Sequence, residues 1–430
     1  MRKVYIDESA AYVGQSVVVE GWVTHYRSSG KIHFVVIRDG SGVLQCVIKS
    51  ANMPVEGIGQ FSELNQETAV RVTGVLHADS RAPIGVELEV QSLQVIGPSA
   101  NYPIAPKEHG VDFLLDHRHL WVRSPKQAAI LRIRAAIIHA IREFLDRHGF
   151  IVADPPVITP AAAEGSTTLF SLDYFDERAY LSQSGQLYLE ALAMALGRVY
   201  SFGPTFRAEK SKTRRHLMEF WMVEPEMAFC EFEENLIWQE QLVAYVVEYV
   251  LETRQQELKT IERDTLRLRT VKVPFPRISY DEALERLQAK GFDLKWGEDM
   301  GAAHETALAE MFDRPVFVTH YPADLKAFYM QPDPSNPKLA LAADMLAPEG
   351  YGEIVGGSQR IHNLELLEER MRRHHLDPEV YNWYADLRRY GCVPHSGFGL
   401  GLERVVAWIC GLEHVRETIP FPRTLNRVWP

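Results

Sequence analysis

The sequence predicts an α+β protein in two parts: a small five-stranded β-barrel at the N-terminus, then a larger domain built on an antiparallel sheet flanked by helices. Three observations carry this reading. The first hundred residues are short β-rich segments separated by Gly and Ser, and a proline-rich break follows them. Beyond the break, strands and helices alternate without the regular βαβ rhythm of a doubly wound sheet.

In the first part, Val17–Val23, Ile32–Arg38, Val43–Ile48, Ala69–Leu76 and Val86–Val95 are β-branched or alternate apolar with polar residues, the signature of half-buried strands. Turn residues such as Asp39-Gly-Ser-Gly42 part them. With a helix expected near Met53–Leu64, the order suits a five-stranded OB-type barrel, although other small barrels share the pattern. The break is Gly97-Pro-Ser-Ala-Asn-Tyr-Pro-Ile-Ala-Pro106, whose three prolines favour an extended linker. The expected domains are therefore a barrel over 1–97, a hinge over 98–120 and a large domain over 121–430.

The large domain opens with Ser124-Pro125, an N-cap followed by a first-turn proline. Ile130, Ile133, Ile137, Ile138 and Ile141 then mark one apolar face of a helix. Further helices are expected near Glu231–Arg263, Tyr280–Lys290, Ile361–His374 and Gly401–Gly411. Strands are expected at Phe150–Ile158, Thr205–Arg207, Phe220–Glu226, Val316–His320 and Ala340–Met345.

Composition narrows the function classes. Apolar residues make up 46% and charged residues 24%, ordinary for a soluble globular protein. No apolar run is long enough for a membrane span and the polar start lacks a signal-peptide core, so a cytoplasmic protein is expected. Its four cysteines lack metal-ligand spacing. A net charge of −11 argues against coating nucleic acid through a bulk positive field, but leaves local contact open.

Two stretches carry chemistry. The first runs from Phe202-Gly-Pro-Thr-Phe-Arg-Ala-Glu209 through the basic loop Lys210-Ser-Lys-Thr-Arg-Arg-His216 to a second strand beginning near Phe220. Arg207 offers a planar fork for a phosphate, the loop suits a polyphosphate tail, and Phe220 offers a face for stacking a base. The second is Pro394-His-Ser-Gly-Phe-Gly-Leu-Gly-Leu-Glu-Arg404, where alternate glycines permit close approach and Arg404 opens a helix.

These stretches resemble the second and third signature motifs of the class II aminoacyl-tRNA synthetases. Arg118–Val157, with Gly149-Phe150 and Pro156, resembles the first, which forms the dimer interface in that family. The N-terminal barrel places the chain beside the aspartyl, asparaginyl and lysyl enzymes. The resemblance implies a class II catalytic domain, ATP as substrate and a homodimer. It also implies that Arg207 meets the α-phosphate and the amino-acid carboxylate, while Phe220 and Arg404 enclose the adenine. Glu209 would contact the adenine end, and Arg215 and His216 the γ-phosphate. Mg²⁺ is implied on Glu353 and Asp344; some relatives add a serine where this chain has Gly356. Arg207, Arg404 and Glu353 are thus the expected catalytic residues.

For the amino acid, the resemblance assigns Glu164, in an expected mobile loop at Ala161–Thr168, to the ammonium group, and Ser184 and Gln186 to the pocket floor. Arg360 would read the side-chain carbonyl, with Glu224 as the acid opposite it. Aspartyl enzymes carry a lysine where this chain has Leu189. A neutral amide needs one donor and one acceptor, which Arg360 and Glu224 supply, whereas aspartate would face a like charge. The runs Ser184-Gly-Gln-Leu-Tyr-Leu-Glu190 and Val355-Gly-Gly-Ser-Gln-Arg360 resemble the asparaginyl branch, implying L-asparagine and tRNA(Asn) as substrates. On the barrel, Phe34, Gln45 and Arg27 are the expected anticodon contacts. An aspartyl enzyme, or a paralogue without synthetase activity, is the competing reading.

Overall fold

The computed structural model describes residues 1–29, 32–49, 55–56, 64–160 and 169–430. The chain divides into two compact units, Met1–Gly110 and Val111–Pro430.

In the first unit, Ser16–Ser29 pairs antiparallel with Ile32–Arg38, which pairs with Val43–Ile48. That strand runs parallel to Val86–Gly97, which pairs antiparallel with Ala69–Ala78. Ala69–Ala78 returns to Ser16–Ser29 and closes a five-stranded barrel. Alternation explains the closure: Val17, Val19, Val35, Ile37, Leu44, Cys46, Val70 and Val72 point inward and are almost wholly buried. The strand Ser16–Ser29 bends through a register shift between Val23 and His25. Gly21 and Gly74 sit where an added Cβ would lie 2.4 and 2.2 Å from a carbonyl oxygen of the neighbouring strand. Most of the expected Met53–Leu64 helix lies outside the described residues; Val55–Glu56 is a two-residue strand beside Val86–Gly97.

The second unit is built on an eight-stranded sheet. Its order is Arg277–Ser279, Val316–Thr319, Ala342–Ala347, Gly352–Gln359, His395–Gly401, Glu219–Ala228, Arg198–Phe206, Ile151–Val152. The central pairings are antiparallel, and only the two edge pairs are parallel. Helices Pro125–Arg147, Phe232–Thr253 and Leu402–Cys410 cover one face. Their Ile133, Ile137, Leu236, Val243, Val406 and Trp408 join Val223, Met345, Val355 and Leu400 of the sheet in one core. Along Glu219–Ala228, Val223 and Met227 enter this core, which turns Met222, Glu224 and Glu226 to the other face.

Local signals explain the boundaries. Ser124 caps its helix by accepting from Gln127 N–H, and Pro125 takes the first turn. Asn363 accepts from Leu366 N–H, so the helix expected from Ile361 begins at Leu364. The single helix expected over Glu231–Arg263 is two, Phe232–Thr253 and Gln255–Thr260. The chain leaves helical geometry at Arg254 (φ −127°), and Leu258 of the second piece is buried in the core.

Candidate active site

The uncovered face of the sheet carries two adjoining cavities. The larger, of about 480 Å³, is lined by Ser184, Gln186, Glu224, Glu226 and Arg360 at one end and by Asp344, Glu353 and Arg207 at the other. The smaller, of about 80 Å³, is lined by Phe220, Arg404, Arg215 and His216. Arg207, Met222, Glu353 and Gly399 border both.

The hairpin of Arg198–Phe206 and Glu219–Ala228 places Arg207 just past a strand end, where its N–H donates to Met218 carbonyl oxygen at 3.0 Å. Its guanidinium lies 5.5 Å from the centre of the Phe220 ring. Arg404, in the first turn of its helix, donates through Nη1 to the Glu353 carbonyl oxygen at 2.9 Å and to Oε2 at 3.0 Å. The alternate glycines leading to it have steric reasons. A Cβ on Gly397 would lie 2.0 Å from Glu226 Oε2, and one on Gly399 would lie 2.4 Å from Met222 Cε.

Three carboxylates at the junction are each held by one cation: Glu353 by Arg404 at 3.0 Å, Asp344 by Lys326 at 2.8 Å, and Glu305 by Arg215 at 3.1 Å. Burial pushes the Glu353 carboxyl up, but Arg404, Lys326 and Arg207 outweigh it and hold the group below its ordinary value. Burial prevails at Asp344 and Glu305, aided by repulsion from Glu353, and both are raised. Arg215, expected on the nucleotide, here reaches Glu305, Thr306 Oγ1 and the Gly350 carbonyl. His216 faces Glu209 at 3.4 Å, and burial followed by Arg404 depresses its pKa. Lys326 and Glu305 stood out in no sequence pattern, because they come from segments remote from the motifs.

At the amino-acid end the structure corrects one expectation. The acid that grips Arg360 is Glu226, not Glu224: Arg360 Nε and Nη2 donate to Glu226 Oε1 and Oε2 at 3.1 and 2.9 Å. Burial pushes the Glu226 carboxyl up against the pull of Arg360, yet two accepting oxygens are the geometry of a carboxylate. Glu224 instead accepts from Ser184 Oγ, from Gly185 N–H at 3.0 Å and from Ser201 Oγ at 3.3 Å, so it stays on the cavity wall beside the pocket floor. The two acids are two apart on one strand and share a face, a parity visible in the sequence. Leu189, where aspartyl enzymes carry a lysine, is wholly buried with Ala153, Ala193 and Val199 and does not border the cavity. Its helix, Gln186–Leu196, turns Gln186 and Glu190 together instead, and they are joined at 2.9 Å.

Glu164 lies outside the described residues. On the barrel, Phe34 and Gln45 share the outer face, opposite the buried Val35 and Cys46, and Arg27 lies 4.4 Å over the Phe34 ring. Gln45 donates to Glu87 at 3.2 Å.

Known proteins resemble this chain over its whole length. Asparagine–tRNA ligases of Chloroflexus aurantiacus and Pelotomaculum thermopropionicum are 60% and 56% identical to it, covering 98% and 100% of this chain and 97% and 100% of their own. The crystal structure of asparaginyl-tRNA synthetase from Pyrococcus horikoshii complexed with asparaginyl-adenylate superposes with a TM-score of 0.96 at 46% identity, covering all of both chains. Residues 17–96 match the OB-fold nucleic acid binding domain. Residues 110–425 match the tRNA synthetases class II (D, K and N), and the chain belongs to that family.

Proposed function

We propose that the chain activates L-asparagine with ATP and passes the asparaginyl group to tRNA(Asn). The observation that carries this is the pair of joined cavities, with Arg207 and Glu353 on their common wall and a donor and acceptor, Arg360 and Glu224, at the amino-acid end. The asparagine carboxylate attacks the α-phosphorus of ATP, and the bond to pyrophosphate breaks. The terminal ribose hydroxyl of the tRNA then attacks the acyl carbon and AMP leaves. The carboxylate is already a nucleophile, so the first step needs positioning and charge stabilisation rather than a base. Arg207 holds the α-phosphate, Phe220 and Arg404 take the adenine, and Glu209, Arg215 and His216 bind the remaining nucleotide once Arg215 exchanges Glu305 for phosphate. Glu164 would receive the substrate ammonium group.

The donor set at the junction fits Mg²⁺. Glu353 Oε1 and Asp344 Oδ1 lie 2.9 and 3.5 Å from the point where residue 356 would carry a Cβ, so two hard oxygens converge on one spot. A serine at 356 would crowd Glu353, and glycine leaves that room. When bound there, the ion supplies neutralisation of the phosphate charge.

The expected outcome in pyrophosphate exchange is that L-asparagine outperforms L-aspartate by about a hundredfold or more in kcat/KM. Equal or inverted preference would overturn the asparagine assignment.

Residues 1–97 act as the anticodon reader, joined through 98–120 to the catalytic part. Phe34 stacks a base, with Gln45 and Arg27 beside it. Phe34→Ala should raise KM for tRNA about tenfold and leave pyrophosphate exchange intact; loss of both activities would reduce Phe34 to a structural residue. Around Pro156, Ile151, Val152, Val157 and Ile158 are 46%, 48%, 38% and 45% exposed, an apolar strip that supports a homodimer through this segment. Among the described residues no helix is long and apolar enough to cross a membrane. We place the enzyme in the cytoplasm.

A further inference from the structure

Beneath the amino-acid end of the large cavity lies a buried polar network centred on Glu190, which is 0% exposed. Its Oε2 accepts from Arg388 Nη2 at 2.6 Å and from His395 Nε2 at 2.9 Å. Tyr384 hydroxyl lies 2.8 Å from both of its oxygens. Its Oε1 accepts from Gln186 Nε2 at 2.9 Å, and Gln186 borders the cavity. Because a carboxylate oxygen only accepts, the amide nitrogen of Gln186 must face Glu190, which leaves its oxygen as the group to offer elsewhere.

The charge states follow from the partners. His395 Nδ1 lies 2.8 Å from the Val393 carbonyl, which also only accepts, so both ring nitrogens carry protons and the ring is an imidazolium. Burial works against that charge, but hydrogen bonding to Cys392, then hydrogen bonding and attraction to Glu190, raise the His395 pKa to about 9. Glu190 is held well below its ordinary value despite burial, by Arg388 and His395. Nearby His362 is depressed by burial and by those cations, and stays neutral. Glu190, Glu226 and His395 stand close enough together to suggest a metal site. Arg360, Arg388 and the protonated His395 already occupy the carboxylate oxygens, however, and a fourth cation would be repelled.

Among the described residues, the buried charges at this end are three carboxylates (Glu190, Glu224, Glu226) and three cations (Arg360, Arg388, His395). They balance. A neutral side-chain amide preserves that balance; an aspartate side chain adds an uncompensated negative charge where the local dielectric is low.

We propose that Glu190, which touches no substrate, is a specificity-determining positioning residue: it completes the charge balance that rejects aspartate and orients the Gln186 amide toward the cavity. The proposal rests on the asparagine reading above and makes its own prediction. Glu190→Gln leaves one positive charge in excess while His395 keeps its proton, so in pyrophosphate exchange run at the acidic end of the enzyme's working range it should lower the asparagine-to-aspartate ratio of kcat/KM by about tenfold. His395→Gln removes a positive charge and should move the same ratio upward, so the two variants are distinguished by sign.

A merely structural role would depress both substrates together. The experiment measures exchange with both amino acids on the full-length wild type and each variant. A ratio that stays put or rises in Glu190→Gln, or that stays put or falls in His395→Gln, overturns the proposal. If Glu190→Gln fails to fold, His395→Gln alone decides it. A wild type that prefers aspartate would instead overturn the asparagine reading.

Discussion

Replacing Arg207 by alanine is expected to slow asparagine-dependent pyrophosphate exchange by about 10³-fold or more while leaving the melting temperature near that of the wild type. The side chain borders both cavities and lies over Phe220, and the proposed reaction brings the amino-acid carboxylate and the α-phosphate together at its guanidinium. It lies outside the hydrophobic cores, so its loss removes charge and geometry rather than packing. Arg207→Lys should recover little, because an ammonium lacks the planar fork that spans two oxygens. Exchange within tenfold of wild type in the alanine variant would remove Arg207 from the reaction centre.

Arg360→Met should unfold the catalytic part far more easily, at a cost of about 3–5 kcal/mol, because it leaves Glu226 buried without its counter-ion. Arg360 and Glu226 side chains are 5% and 1% exposed, so little solvent reaches the carboxylate to take over the charge. The sign of the pH dependence follows. Burial already raises Glu226, and loss of Arg360 raises it further; a carboxyl raised in the folded state is destabilising when ionised and relieved when protonated. The deficit of Arg360→Met should therefore shrink as pH falls from 8 toward 5, as read by chemical denaturation. The double variant Arg360→Met, Glu226→Gln should regain much of the loss. A deficit independent of pH would mean that packing, not the stranded charge, sets the cost.

What the sequence made legible was largely periodic. Barrel strands announced themselves by alternation, because each buries one face only, and Ser124-Pro125 marked a helix start through local chemistry. The motif residues were legible because Arg207, Phe220 and Arg404 sit at strand or helix ends, where short patterns record position. Glu226 was half visible: it shares parity with Glu224, and only the three-dimensional neighbour Arg360 distinguishes the two roles. The surroundings of Leu189 were not legible, because a helix presents adjacent positions to different surroundings, and single-position analogy does not say which one meets the cavity. Glu190, Lys326, Glu305 and His395 were silent as functional residues, since their meaning lies in ion pairs formed across long sequence separations.

The common wall between the two cavities has a practical corollary. Arg207, Met222, Glu353 and Gly399 separate a roomy polar chamber from a narrow aromatic slot, with no further layer between them. One molecule that fills both gains a chelate advantage, because docking either end presents the other at high effective concentration. Inhibitors built this way can draw affinity from the slot at Phe220 and Arg404 and selectivity from the chamber's Glu224 and Arg360.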